Sequence, residues 1–280
     1  MIVFPNCKIN LGLSILDKRR DGYHNIQTIF YPLAVRDAVE AIPSLGNVST
    51  ISTVDFTLSG LPVYGDPANN LCVKAFYLLQ KDYPRMPSAK IHLLKSIPMG
   101  AGLGGGSADG AFTLQLLNRL FHLELSQQQL IDYASRLGSD CPFFIINKSC
   151  YATGRGEILE PLTLDLSTYS FFLVNCGISI NTGWAFSFLD SLNKVTASAA
   201  PDLKQIITGP INTWKELLVN DFEAPVFQHY PEIKNVKDNL YEQGALYAAM
   251  TGSGSTVFGI FEKTTVAPQW TGRGTAILVK

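Results

Sequence analysis

Near the start of the chain apolar residues fall at every second position. Ile9, Leu11, Leu13 and Ile15 alternate with polar or small residues, so 7–16 predicts a strand, with a shorter one before it over 2–4. Asp21-Gly22 reads as the turn that follows. Leu71, Ala75 and Leu78 share one helical face and predict a helix over 70–80, after which Lys90 to Ile97 returns to period two. From Ser107 the spacing becomes helical again, through Ala108, Ala111, Phe112, Leu116 and Leu120. A further helix is announced by Ser126 with Gln129, a capping-box pair. It carries the stripe Leu130, Ile131, Ala134 and Leu137, and Gly138 suits the left-handed residue that ends it. Past Pro142 the run Phe143 to Ile146 reads as a strand. The period lapses over 160–168 before another apolar strand, Phe171 to Val174, and Met250 to Ser255 is a glycine-serine turn leading into a strand-like run, 256–261.

This mixture of elements predicts an α+β protein. With 280 residues, 46% of them hydrophobic and 16% charged, the chain exceeds what one core comfortably fills, so two domains are expected, 1–160 and 161–280. A net charge of -1 offers no basic face, which argues against nucleic acid as a partner. Lys18-Arg19-Arg20 runs straight into Asp21-Gly22 and is read as a solvated turn. The five cysteines make neither a Cys-x-x-Cys pair nor an even framework, so a reducing, cytoplasmic setting is expected and structural zinc is not. Cys7 and Cys141 are read as small buried hydrophobes. No segment reaches the length of a membrane span, so no membrane partner is expected. Both a monomer and a homodimer stay open.

The chemistry concentrates between the strand ending near Ile97 and the helix from Ser107. Pro98-Met99-Gly100-Ala101-Gly102-Leu103-Gly104-Gly105-Gly106-Ser107 holds more glycine than a turn needs. Glycine lets backbone N–H groups approach phosphate oxygens, and the dipole of the following helix adds attraction. A dinucleotide fingerprint would also require an acid at the end of the next strand, whereas Glu124 lies between two helices. A P-loop would require lysine where Gly106 stands. The positive charge must then come from elsewhere, with Lys8 and Lys95 as candidates. Phosphoryl transfer to an alcohol asks for a carboxylate to take the hydroxyl proton and a cation to steady the charge, and Asp140 with Lys8 could be that pair. The plainer readings are a turn-forming Asp140 and an edge-strand Lys8.

Three separated segments now become specific together. The loop Pro98 to Ala108 resembles the phosphate loop of the GHMP small-molecule kinases, and Thr251-Gly-Ser-Gly-Ser255 resembles their third motif. Lys8 to Leu13, with Asp21-Gly-Tyr-His24 and Gln27 to Phe30, is similar to the amino-terminal signature of the members that phosphorylate a cytidine-linked polyol in non-mevalonate isoprenoid precursor synthesis. The resemblance implies an ATP-dependent kinase that adds a phosphoryl group to the 2-hydroxyl of a diphosphocytidyl methylerythritol, with Mg2+. It implies an amino-terminal domain like ribosomal protein S5 domain 2 and a ferredoxin-like carboxy-terminal α/β domain. By position it makes Lys8 and Asp140 the catalytic pair and the loop from Pro98 to Ala108 the ATP site. Ser107 would meet the metal or the phosphates, and Asn70 and Lys95 the adenosine end. Asn10, Tyr23 and His24 match the cytidine pocket, where Phe186 would stack with Tyr23 around the base, Trp184 competing for that part. Ala108 and Gly110 depart from the pattern, standing where relatives commonly have serine and alanine.

Overall fold

The computed structural model describes residues 1–44, 52–191, 201–263 and 267–280. Contacts divide the chain into two compact units, one of Met1–Cys7, Ala34–Met99 and Gly104–Lys148, the other of Lys8–Leu33, Gly100–Leu103 and Ser149–Lys280. The chain opens with β1 (Ile2–Val3), β2 (Asn6–Lys18), β3 (His24–Arg36), β4 (Ala38–Pro43) and β5 (Val54–Gly60). Then come α1 (Leu71–Asp82), β6 (Ala89–Lys95), α2 (Gly105–Leu120), α3 (Gln127–Leu137) and α4 (Cys141–Ile146). After β7 (Cys150–Thr153), β8 (Ile158–Pro161) and β9 (Tyr169–Asn175) follow α5 (Thr182–Ser191), α6 (Leu203–Ile206), α7 (Trp214–Leu217), α8 (Glu223–His229) and α9 (Pro231–Glu242). The chain closes on β10 (Tyr247–Met250), β11 (Val257–Glu262) and β12 (Thr275–Val279).

In the first unit a sheet of order β1-β4-β6-β5 backs the helices, with only β5 parallel to its neighbour. β6 alternates as a half-buried strand should: Ala89, Ile91, Leu93 and Lys95 face inward. Asn70 caps α1 by accepting from the Cys72 N–H, and Ser126 and Gln129 close the capping box of α3 in both directions. α2 is buried along most of its length because its residues are small where neighbours press in. A Cβ on Gly110 would stand 2.8 Å from Leu71 Cβ of α1, so glycine there permits the close approach of two helices.

Two local expectations are corrected. Phe143 to Ile146 is not a strand but part of α4, whose residues from Cys141 to Ile145 are all buried. A short helix enclosed on every side is as uniformly apolar as a buried strand, and Pro142 fits the first helical turn. Gly138 ends α3 in an extended conformation, φ 171°, rather than a left-handed one.

The second unit holds two sheets. One has the order β2-β3-β7-β8. β2 is enclosed from Asn6 to Ser14, so the polar residues that interrupt its apolar alternation are buried as well. The other runs β10-β11-β9-β12, antiparallel throughout, the strand order of a ferredoxin-like sheet. Phe172, Val174, Ala248, Met250 and Val257 from its strands share one core with Val226 of α8 and Ile233, Val236 and Leu240 of α9. Each of the larger side chains contributes roughly 1.5–3 kcal/mol by leaving water. Among the described residues no helix is long and apolar enough to cross a membrane.

Candidate active site

From Pro98 to Ala108 apolar anchors alternate with glycine. Ala101 and Leu103 are buried, and their carbonyls accept from the Thr256 N–H at 3.2 Å and the Lys8 N–H at 3.0 Å. The glycines between them take the turns: Gly102 has φ 77° and Gly104 φ 70°, the left-handed region that a side chain disfavours. Gly102 has a second reason to be glycine, since a Cβ there would come within 1.9 Å of the Thr251 carbonyl oxygen. Gly104 then stands at the N-cap of α2 and offers no side-chain cap to the helix. The first-turn N–H groups of Gly105, Gly106 and Ser107 therefore keep their affinity for an external acceptor, and a Cβ on Gly106 would meet nothing within 4 Å. Backbone donors, a helix dipole and open space make an anion site.

The second glycine loop braces the first. The Thr251 hydroxyl donates to the Gly102 carbonyl at 3.0 Å, and the Asn220 amide donates to the carbonyls of Met250 at 2.7 Å and Gly252 at 2.8 Å. Asn220 was not singled out in the sequence, because a lone asparagine before a short helix carries no periodic signal.

Lys8 stands on β2, the edge strand of its sheet, but is not a solvated charge. It is buried, its ammonium donates to Asn10 Oδ1 at 2.5 Å, and it lies 5.0 Å from the centre of the Phe30 ring. Asn10 is fixed in turn: its amide donates to Thr28 Oγ1 at 3.0 Å, its oxygen lies 3.1 Å from Thr251 Oγ1, and its own N–H donates to Thr251 Oγ1 at 3.1 Å. A cation in such a frame cannot swing away, which is what electrostatic catalysis asks of it.

Lys95 lies elsewhere. Its ammonium is buried and held by both the Asp37 and the Asp109 carboxylates. Burial pulls its pKa down, and the charges and hydrogen bonds of Asp109 and Asp37 more than offset that, leaving it raised. Asn70 spends its side-chain oxygen on the cap of α1. Asp140 occupies the N-cap of α4 with no side-chain hydrogen bond to the helix cap. Burial pushes the neighbouring Cys141 thiol up to about 12, against a hydrogen bond with Ser107 that lowers it, so Cys141 is not a nucleophile at neutral pH.

Among the cytidine-pocket candidates His24 and Phe186 meet. The Phe186 ring lies on His24, whereas Tyr23 is exposed with its ring 4.9 Å from the Arg155 guanidinium. Trp184 packs against Phe188, His229 and Tyr230. His24 Nε2 lies 2.8 Å from Asp190 Oδ1, and Lys18 donates to Asp190 Oδ2 at 2.5 Å. Asp190 was missed because it follows an apolar stretch with nothing in its spacing to mark it.

A magnesium ion bound mainly through nucleotide phosphates needs only one or two protein oxygens. Among the described residues no group of three or more histidine, cysteine or acidic side chains converges, and the Ser107 hydroxyl sits in the first turn of α2.

Residues 70–148 match the GHMP kinases N terminal domain, and residues 199–270 the GHMP kinases C terminal domain. A 4-diphosphocytidyl-2-C-methyl-D-erythritol kinase of Parabacteroides distasonis is 50% identical over 267 residues, 95% of this chain and 93% of its own. The enzyme of that name from Cytophaga hutchinsonii is 48% identical over 262 residues, 93% of this chain and 92% of its own. Among solved structures a 4-(cytidine 5'-diphospho)-2C-methyl-D-erythritol kinase superposes with a TM-score of 0.80 at 27% identity, covering 100% of this chain and 98% of that one. Mevalonate kinase of Methanococcus jannaschii shares the fold, with a TM-score of 0.67 at 13% identity over 95% of this chain and 92% of its own.

Proposed function

The chain belongs to the GHMP kinases, and within them to the family of 4-diphosphocytidyl-2-C-methyl-D-erythritol kinases; from that premise we propose that Asp140 is the base and Lys8 the cation of its phosphoryl transfer. It is an ATP-dependent kinase of isoprenoid precursor biosynthesis, and its acceptor is the 2-hydroxyl of 4-diphosphocytidyl-2-C-methyl-D-erythritol.

The observation that carries the reading is the uncapped N-terminus of α2 behind the left-handed glycines, which suits nucleotide phosphates. Phosphoryl transfer leaves little covalent work to the protein, so its residues chiefly position groups and stabilise charge. Backbone N–H groups from Gly104 to Ser107 would hold phosphate oxygens, while Lys8, fixed by Asn10, would face the charge that develops on the transferred group. Asp140 would accept the proton of the acceptor hydroxyl as the oxygen attacks phosphorus. Magnesium, held by Ser107 and the phosphates, would supply further neutralisation. His24 and Phe186 would wall the cytosine site, with Tyr23 beside them. None of the five cysteines is in a disulfide, which supports a cytoplasmic setting.

The test is Asp140→Asn. Binding of ATP, followed by calorimetry, should persist while turnover of the cytidine substrate falls by about a hundredfold to ten-thousandfold, the usual contribution of a general base. Turnover near that of the unaltered enzyme would remove Asp140 from the role.

A further inference from the structure

Lys95 ends β6, and Pro98 opens the glycine loop three residues later. Asp37, at the junction of β3 and β4, holds the Lys95 ammonium through Oδ2 and accepts from the backbone N–H groups of Ser96 at 2.5 Å and Ile97 at 2.8 Å through Oδ1. Asp109, on the second turn of α2, accepts from the same ammonium at 2.8 Å. One cation thus ties the strand that enters the loop to the helix that leaves it, while Asp37 also pins the entering backbone. The first residue of α2 rests directly over it: a Cβ on Gly105 would lie 2.9 Å from Lys95 Nζ and 2.9 Å from Ile97 Cγ2.

All three side chains are buried, and Asp109 Oδ1 has no hydrogen-bond partner. Desolvated ions are a poor way to gain stability, because apolar residues of the same volume often do as well or better. A carboxylate left half-satisfied in a core points to a geometric task. We propose that Asp37 and Asp109, acting through Lys95, are positioning residues for ATP: they fix the span between the end of β6 and the first turn of α2, and with it the spacing of the N–H groups that meet the phosphates. This rests on reading the loop from Pro98 to Ala108 as the nucleotide site.

The experiment is steady-state kinetics of the full chain with ATP and the cytidine substrate. Asp37→Asn should raise KM for ATP about tenfold, with a smaller fall in kcat, and leave KM for the cytidine substrate within about twofold. Asp109→Asn is near-isosteric and serves if Asp37→Asn does not fold. It should likewise raise KM for ATP and leave KM for the cytidine substrate within about twofold. Folded variants with an unchanged KM for ATP, or with both KM values raised together, overturn the inference. If the unaltered enzyme turns over no ATP, the nucleotide reading falls with it; if it does and neither variant separates the two KM values, the inference alone fails.

Discussion

His24 and Phe186 lie face to face, with ring centroids 4.7 Å apart and planes 8° from parallel. Phe186 also sets its ring against Phe222 in an edge contact at 4.9 Å, and Asp190 holds the far side of the imidazole. The stack is therefore clamped at both ends. Aromatic pairs of this kind are worth about 0.5–1.5 kcal/mol beyond the area they bury.

Phe186→Ala should unclamp His24 without reaching the glycine loop. KM for the cytidine substrate is expected to rise about tenfold while KM for ATP stays within about twofold, both read from initial rates. Parallel increases would assign Phe186 to general packing and not to the acceptor pocket.

Gly110 offers a test in which helix propensity and packing oppose each other. Alanine in the middle of a helix is favoured over glycine by about 1 kcal/mol. The added methyl of Gly110→Ala would stand 2.8 Å from Leu71 Cβ, an atom on the stem of α1 that cannot rotate aside. Overpacking of that sort typically costs about 1–3 kcal/mol, so a net loss of about 1 kcal/mol is expected in urea denaturation. A midpoint equal to or above that of the unaltered chain would contradict the close approach of α1 and α2.

The glycine loop could be read in advance because its residue types have no other good use. Around it α1, β6, α2 and α3 also followed from period and caps alone, whereas α4 is too short and too enclosed to show a helical face. Lys95 was visible too, in a different sense. It continues the inward phase of Ala89, Ile91 and Leu93, so alternation alone marks it as a buried lysine that needs partners. Those partners, Asp37 and Asp109, lie 58 and 14 positions away, and period says nothing about which distant acid a buried cation will meet. Thr28 and Asn220 escaped for the same reason, since each earns its place through a hydrogen bond to backbone from another part of the chain.

The buried cluster also makes a prediction about stability against pH. The Asp109 carboxyl is raised from 3.8 to about 7 in the folded chain, chiefly by burial. Between those two values the folded chain holds a proton that the unfolded chain has released. Stability must then fall as pH rises through that window and level off above about 7, the opposite of a carboxylate whose folded pKa is lowered. Asparagine mimics the protonated side chain and cannot titrate, so Asp109→Asn should lose this component of the slope. The two proteins should differ most in favour of the variant above neutrality and converge, or reverse, toward pH 5. Urea denaturation of both at several pH values measures the difference directly, and parallel profiles would mean that Asp109 stays ionised beside Lys95 throughout.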